Sequence, residues 1–234
     1  MLTSPHMKAS GSGLARIFEL DPSAYPKVGT HPYYRPLPLE NGELILTFDD
    51  GPTHPCTGSI LEALAHEDIR ATFFCVGYHA RNVPDLIKRI HDEGHTIGTH
   101  TEMHQCIPTL PTGEREKAID EGIASTTFAL QGKAPAPFFR FPFLERDGQI
   151  EARLAARRIS IWGTDVFSDD WDGVSVEQLV SRTVRLLEQT TSGIIILHDI
   201  QPVTAVALPT LLRELRNRNY RFVHVVPAGE RVGS

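Results

Sequence analysis

The chain has 234 residues, 41% hydrophobic and 22% charged, the make-up of a globular protein with material for one sizeable core. A formal charge of −6 at pH 7 argues against nucleic acid or an anionic membrane as the main partner. No apolar run reaches the length of a membrane span, and three cysteines (Cys56, Cys75, Cys106) do not make a fully paired disulfide framework.

Residues 1–13 are rich in Ser and Gly and lack the apolar stretch of a signal peptide, so they read as a disordered leader or a cloning remnant. The compartment is then cytoplasmic if the chain is complete, and periplasmic or secreted if an export signal has been removed. Residues 14–42 carry Pro22, Pro26, Pro32, Pro36 and Pro38 and read as an extended arm lying on the main body. The main domain is expected over 43–234. Strand-like runs fall at 44–49, 71–76, 95–99, 137–141, 159–164, 194–198 and 221–226. Helical segments lie between them, at 59–67, 84–93, 113–131, 149–158 and 176–190, with a last one carrying Leu208, Leu211, Leu212 and Leu215 on one stripe. Pro84 suits a first helical position and Gly94 a stop, and Ser175 with Gln178 forms a capping box. Such alternation means parallel strands joined by crossover helices. No Gly-rich dinucleotide fingerprint follows the first strand, so the expected α/β fold is a closed or nearly closed (β/α)7 barrel with outer helices.

In such a barrel reactive side chains gather at the carboxyl ends of the strands. The first run, L-I-L-T-F-D-D-G-P (44–52), delivers Asp49 and Asp50 into a Gly-Pro break. On its own the pair also fits a solvated turn. Two carboxylates so close repel, and a metal ion resolves the conflict by taking one and leaving the other as a base. The third run ends in His100, followed by His104; one helical turn over 101–105 would put both imidazoles on one face. Joined with Asp50 they make a His-His-Asp set with open coordination positions, the pattern of a catalytic metal. Zinc fits N/O ligands best, and cobalt, nickel or iron also fit. Cys106 offers a softer alternative to Asp50. Further strand ends carry Arg140, Asp165 with Asp169, Asp170 and Trp171 beyond it, and His198-Asp199.

T-F-D-D-G-P (47–52), H-T-E-M-H (100–104), R-F-P-F (140–143), D-V-F-S-D-D-W (165–171) and I-I-L-H-D (195–199) resemble, in order, the motifs of the polysaccharide deacetylases, carbohydrate esterase family four, or NodB homology domain. The resemblance covers about residues 43–226 and implies a distorted (β/α) barrel that hydrolyses N-acetyl groups. It implies Asp49 as general base, and Asp50, His100 and His104 as metal ligands. Arg140 would pair with Asp49 and keep it ionised, and the Phe143 amide would help hold the oxyanion. Asp170 would tune His198, the general acid, while Leu197 and Trp171 would wall the acetyl pocket. The implied partner is an N-acetylated carbohydrate such as chitin, a chitooligosaccharide or peptidoglycan; separately from the resemblance, a monomer is the default expectation. The chain departs from the family pattern where Phe143-Leu144 replaces the usual Tyr-Gly. Asp165 and Asp169 compete with Asp170 for its role. Rival readings are hydrolysis of a small cyclic amide at the same metal, and a silent sugar-binding module. His54, His66, His79, His91, His95 and His224 read as surface or helix-end histidines, and Tyr33 and Tyr34 as packing of the arm in preference to a substrate contact.

Overall fold

The computed structural model describes residues 14–229. The segment 1–13, read above as a leader, lies outside that span. In chain order the elements are β1 (Leu14–Leu20), β2 (Lys27–Val28), β3 (Glu43–Asp49), α1 (Cys56–His66), β4 (Thr72–Cys75), α2 (Gly77–Asn82), α3 (Pro84–Asp92), β5 (Thr96–Thr99), α4 (Thr112–Ala129), β6 (Phe138–Phe139), α5 (Gly148–Ala156), β7 (Ser160–Trp162), β8 (Val166–Phe167), α6 (Val176–Thr190), β9 (Gly193–His198), α7 (Pro202–Asn217) and β10 (Arg221–Pro227). Short 3-10 turns occupy Ile107–Thr109 and Pro142–Leu144.

The central strand is β3. One edge pairs with β9; the other pairs with β10 at its start and β4 at its end, all parallel. From β4 the order continues through β5 and β6 to β7. The chain leaves β7 directly into β8, which pairs back onto β9, so the parallel strands return on themselves as a distorted barrel. Residue parity separates the two faces of each strand. Along β3, Leu44, Leu46 and Phe48 point outward into the apolar shell shared with Leu61 of α1, Leu187 of α6 and Leu211 of α7. Ile45 points inward, with Phe74, Phe138, Trp162, Ile194 and Val223. A strand buried on both faces reads as a nearly continuous apolar run, which is why β3 and β9 stand out in the sequence.

The arm is part of the sheet. Its strand β1 pairs with β10, and β2 pairs with β7. All five of its prolines lie outside these strands, and Leu14–Leu20 keeps every backbone N–H for the ladder. Arg16 bonds the buried Glu43 at 2.7 Å, tying the arm to the root of β3. The helix α6 carries the expected capping box: Ser175 Oγ accepts from the Gln178 amide at 3.2 Å, and Gln178 Oε1 accepts from the Ser175 amide at 2.8 Å. Two of the supposed surface histidines are interior. His95 accepts the Ala71 amide at 3.1 Å, and His224 Nε2 lies 2.9 Å from Thr96 Oγ1; burial pushes their pKa values down to about 3 and about 4. No helix among the described residues is long and apolar enough to cross a membrane.

Candidate active site

Register assembles the site. Asp49 is the Cα partner of His198 on β9 and of Phe74 on β4. Next door, the His100 amide bonds Cys75 O on β4 and the Arg140 amide bonds Thr99 O on β5, so these two sit just past the ends of β5 and β6, while Asp49 and His198 close β3 and β9. Together Asp49, Asp50, His100, His104 and His198 face one cavity of about 400 Å³ at the carboxyl ends.

Asp49 and Asp50 would diverge on a regular strand. The backbone turns instead: Asp50 takes φ 78°, in the left-handed region, and brings its carboxylate beside Asp49's. Asp50 Oδ1 lies 3.4 Å from His100 Nε2 and 3.1 Å from His104 Nε2, yet it is buried without a hydrogen-bond partner. His100 Nδ1 lies 2.7 Å from the Arg140 carbonyl, an acceptor only, which puts the ring proton on Nδ1 and turns the Nε2 lone pair toward Asp50. An orphaned carboxylate oxygen facing imidazole nitrogens is a donor set that could hold a divalent ion. Asp50, His100 and His104 are the one group of this kind among the described residues, and Cys106 lies outside it. The expected helical turn between the histidines is absent. Thr101 and His104 both have positive φ, 64° and 53°, in a tight turn whose Thr101 Oγ1 accepts the Gln105 amide at 3.2 Å. The two rings converge all the same, 5.0 Å between centroids.

Arg140 is completely buried. It donates to Asp49 Oδ1 at 2.6 Å, Thr47 Oγ1 at 2.8 Å and the Gly163 carbonyl at 2.7 Å, and its guanidinium lies 4.4 Å from the Phe74 ring centroid. Asp49 is thereby fixed with one oxygen on Arg140 and the other toward the cavity. Across the cavity His198 Nδ1 bonds Asp170 Oδ1 at 2.7 Å, and the His198 amide donates to Asp170 Oδ2 at 2.7 Å. Ser168 and Thr204 hydroxyls also donate to this carboxylate. Burial pulls the His198 imidazole down, but the Asp170 hydrogen bond and charge, with Asp49 and Asp50 nearby, overcome it and raise its pKa to about 9. Asp165 and Asp169 do not face His198. Asp165 accepts the Thr30 amide at 2.7 Å and the Ile194 amide at 2.8 Å, and Asp169 pairs with Arg182 at 2.9 Å.

Trp171, half exposed, stands edge-on to His198 with 5.0 Å between centroids. Phe143 also lines the cavity, its ring 4.5 Å from His104's. Its amide lies in the first turn of the 3-10 segment, where N–H groups have no partner within the turn. Phe143 and Leu144 both hold positive φ, 58° and 55°, so the side chain that replaces the family's glycine keeps a glycine-like backbone. Leu197 is a correction. It is fully buried in the outer shell, and Ile196 lines the cavity in its place. Parity on β9 is the cause, since His198 and Ile196 share the inward face while Leu197 points to the helices. Counting back two residues from His198 was the available signal. Sequence reasoning also gave no role to Thr47, Ser168 and Thr204, the hydroxyls that hold Arg140 and Asp170, or to Phe167, which lines the cavity.

The family model for polysaccharide deacetylases matches residues 38–160. The chain is 31% identical over 185 residues to a peptidoglycan-N-acetylglucosamine deacetylase of Listeria monocytogenes, covering 79% of this chain and 38% of that protein. It is 32% identical over 166 residues to a chitooligosaccharide deacetylase of Rhizobium leguminosarum bv. trifolii, covering 68% of this chain and 73% of that one. A solved structure of a Bdellovibrio bacteriovorus peptidoglycan deacetylase superposes with a TM-score of 0.83 at 31% identity, over 97% of this chain and 63% of the other. The chain thus spans well under half the length of the Listeria relative. On the family match, these identities and the shared parallel barrel, the chain belongs to the polysaccharide deacetylase family.

Proposed function

We propose that this chain removes N-acetyl groups from N-acetylglucosamine-containing glycans in a metal-dependent hydrolysis, with Asp49 as base and His198 as acid. The observation that carries the reading is the orphaned Asp50 Oδ1 facing His100 and His104, with Arg140-held Asp49 on one side and Asp170-held His198 on the other. Asp50, His100 and His104 would hold the ion, zinc by preference for an N/O set, with cobalt, nickel or iron as fitting alternatives. A bound divalent ion supplies positive charge that polarises the acetyl carbonyl and makes water more acidic.

The chain's own groups do the rest. Asp49, fixed by Arg140, accepts the proton of the attacking water as its oxygen adds to the acetyl carbon. The Phe143 amide donates toward the developing oxyanion. His198, protonated at neutral pH, passes its proton to the sugar nitrogen as the C–N bond breaks. Amide and water become acetate and a free amine, and each positioned acid or base supplies roughly 10²–10⁴-fold in rate. Ile196 and Trp171 border the space for the acetyl methyl.

The test is acetate release from N-acetylglucosamine oligomers by the purified chain, with and without chelator and after restoring zinc or cobalt. Release that chelator abolishes and metal restores is expected. No release from any aminosugar by the metal-loaded protein would refute the reading, and release of ammonia or a ring-opened product from a cyclic ureide would favour the small-amide alternative.

A further inference from the structure

A row of aromatic rings leaves the cavity and ends on the arm. Trp171 lies against His198, Phe167 follows at 6.5 Å, His31 at 4.8 Å beyond Phe167, and Tyr33 at 6.4 Å beyond His31. Phe167 lines the cavity itself, whereas His31 and Tyr33 stand outside it. Tyr33 is 89% exposed, the most open large hydrophobic residue among the described residues. A lone exposed aromatic needs no explanation, but one at the end of a continuous row from a reactive cavity does.

The backbone beneath the row is built, not loose. The His31 amide donates to Thr164 O at 2.9 Å and the Thr164 amide donates to His31 O at 3.0 Å. The Thr30 amide is held by Asp165 Oδ1 at 2.7 Å, which gives that acid its work. Gly163 admits the loop because a Cβ there would fall 1.9 Å from His31 O. Tyr33 takes φ 78°, an outlier for a bulky residue, with its amide on Thr30 O at 2.7 Å. A strained backbone that presents an aromatic face to solvent beside a catalytic cavity is the arrangement of a ligand contact rather than of packing. Residues 31–33 also precede the span matched by the family model, so the far end of the row belongs to the arm.

We infer that Tyr33, backed by His31 and Phe167, is a distal sugar subsite: it stacks on a further N-acetylglucosamine unit of a glycan whose reacting unit sits in the cavity. The inference rests on the deacetylase reading for the choice of ligand. Aromatic rings offer large, rigid, amphipathic contact surface at little entropy cost, which suits the apolar face of a pyranose that keeps its hydroxyls in water.

The test uses the full chain and N-acetylglucosamine oligomers of two and six units. In Tyr33→Ala the six-to-two ratio of kcat/KM falls by roughly 2- to 10-fold, the size of an aromatic contact. The fall lies in KM, and Tyr33→Trp restores it. A ratio equal to wild type overturns the subsite. Calorimetric titration of the hexamer into chelated protein separates this from the parent reading, because it needs no turnover. A hexamer Kd weakened by a similar factor in Tyr33→Ala supports the subsite even for an enzyme with another scissile group, whereas unchanged or undetectable hexamer binding rejects it. Thermal melting of each variant checks that the fold is intact.

Discussion

Replacing Asp170 by Asn keeps the shape of the side chain and removes its charge. Asp170 is buried and accepts from the His198 ring, the His198 amide, Ser168 and Thr204. An amide in that position has one acceptor oxygen for four donors. His198 sits at about 9 instead of 6.5, a difference worth about 3 kcal/mol at about 1.4 kcal/mol per unit. Much of that support is Asp170's, so the imidazole in Asp170→Asn is expected to titrate at least one unit lower. With His198 in the acid role proposed above, activity would be lost as pH rises through its pKa. The alkaline limb of the rate profile therefore moves toward neutrality in the variant. Stability follows with the same sign: a raised histidine stabilises the fold fully below 6.5 and loses that contribution as pH climbs through about 9. The stability gap between wild type and variant should thus narrow as pH climbs through about 9, leaving the pH-independent loss of the other hydrogen bonds. The assay is an NMR titration of the His198 ring in chelated protein, paired with a pH–rate profile of the loaded enzyme. A ring pKa unchanged by the substitution would refute the reasoning.

Three further outcomes are expected. Zinc or cobalt should raise the melting temperature in a concentration-dependent way, by an equivalent of about 2.7 kcal/mol at a hundred times Kd, and Asp50→Ala or His104→Ala should abolish the rise; an equal shift in the variants would sink the ligand assignment. Ile196→Ala should open the acetyl pocket and raise the relative kcat/KM for N-propionyl substrates by up to roughly tenfold, whereas Leu197→Ala should cost about 2–5 kcal/mol in urea unfolding and leave acyl preference alone. His224, held at about 4, supplies stability above 6.5 that drains as pH falls, so wild type should lose about 2 kcal/mol more than His224→Gln between pH 7 and pH 5. The paired comparison is needed because the buried Asp199, pushed up to about 7, works in the opposite sense. Equal losses in the two proteins would rule the histidine out.

What could be read from sequence was whatever leaves a mark in residue order. The apolar runs of β3 and β9 announced themselves because both faces are buried, and the capping box of α6 is a local hydrogen-bond pattern. Two-residue strands such as β2 and β8 are too short to carry a period, and α2, six residues long without a side-chain cap, left no signal either. Leu197 was misplaced because Ile194 to Leu197 is apolar at every position, so hydrophobicity says nothing about which face points inward. The turn over 101–105 was hidden for a different reason. Its left-handed residue Thr101 sits in a long-range contact, packed so closely on Gly122 that a Cβ there would fall 2.6 Å from the Thr101 carbonyl carbon.

The same closeness explains the wording of the first motif. Thr47 points inward and bonds both Arg140 and the Ile195 carbonyl, so it fixes the guanidinium that fixes Asp49. Phe48 points outward and anchors the strand against Phe73. Asp50 leaves the strand at positive φ, and its carbonyl is 2.8 Å from His79 Nδ1. Gly51 then has no room for a side chain: its Cβ would fall 2.0 Å from Asp199 Oδ2, the buried carboxylate that takes the Gly51 amide at 2.8 Å and the Thr57 hydroxyl at 2.7 Å. The His-Asp pair at the end of β9 therefore serves two ends of one turn. His198 faces the cavity, and Asp199, of opposite parity, grips the loop that presents Asp50. Asp50, His100 and His104, set by a strand end, a strained turn and a buried acid, would need little rearrangement to take an ion, and preorganisation of that kind would supply rate in the hydrolysis proposed above.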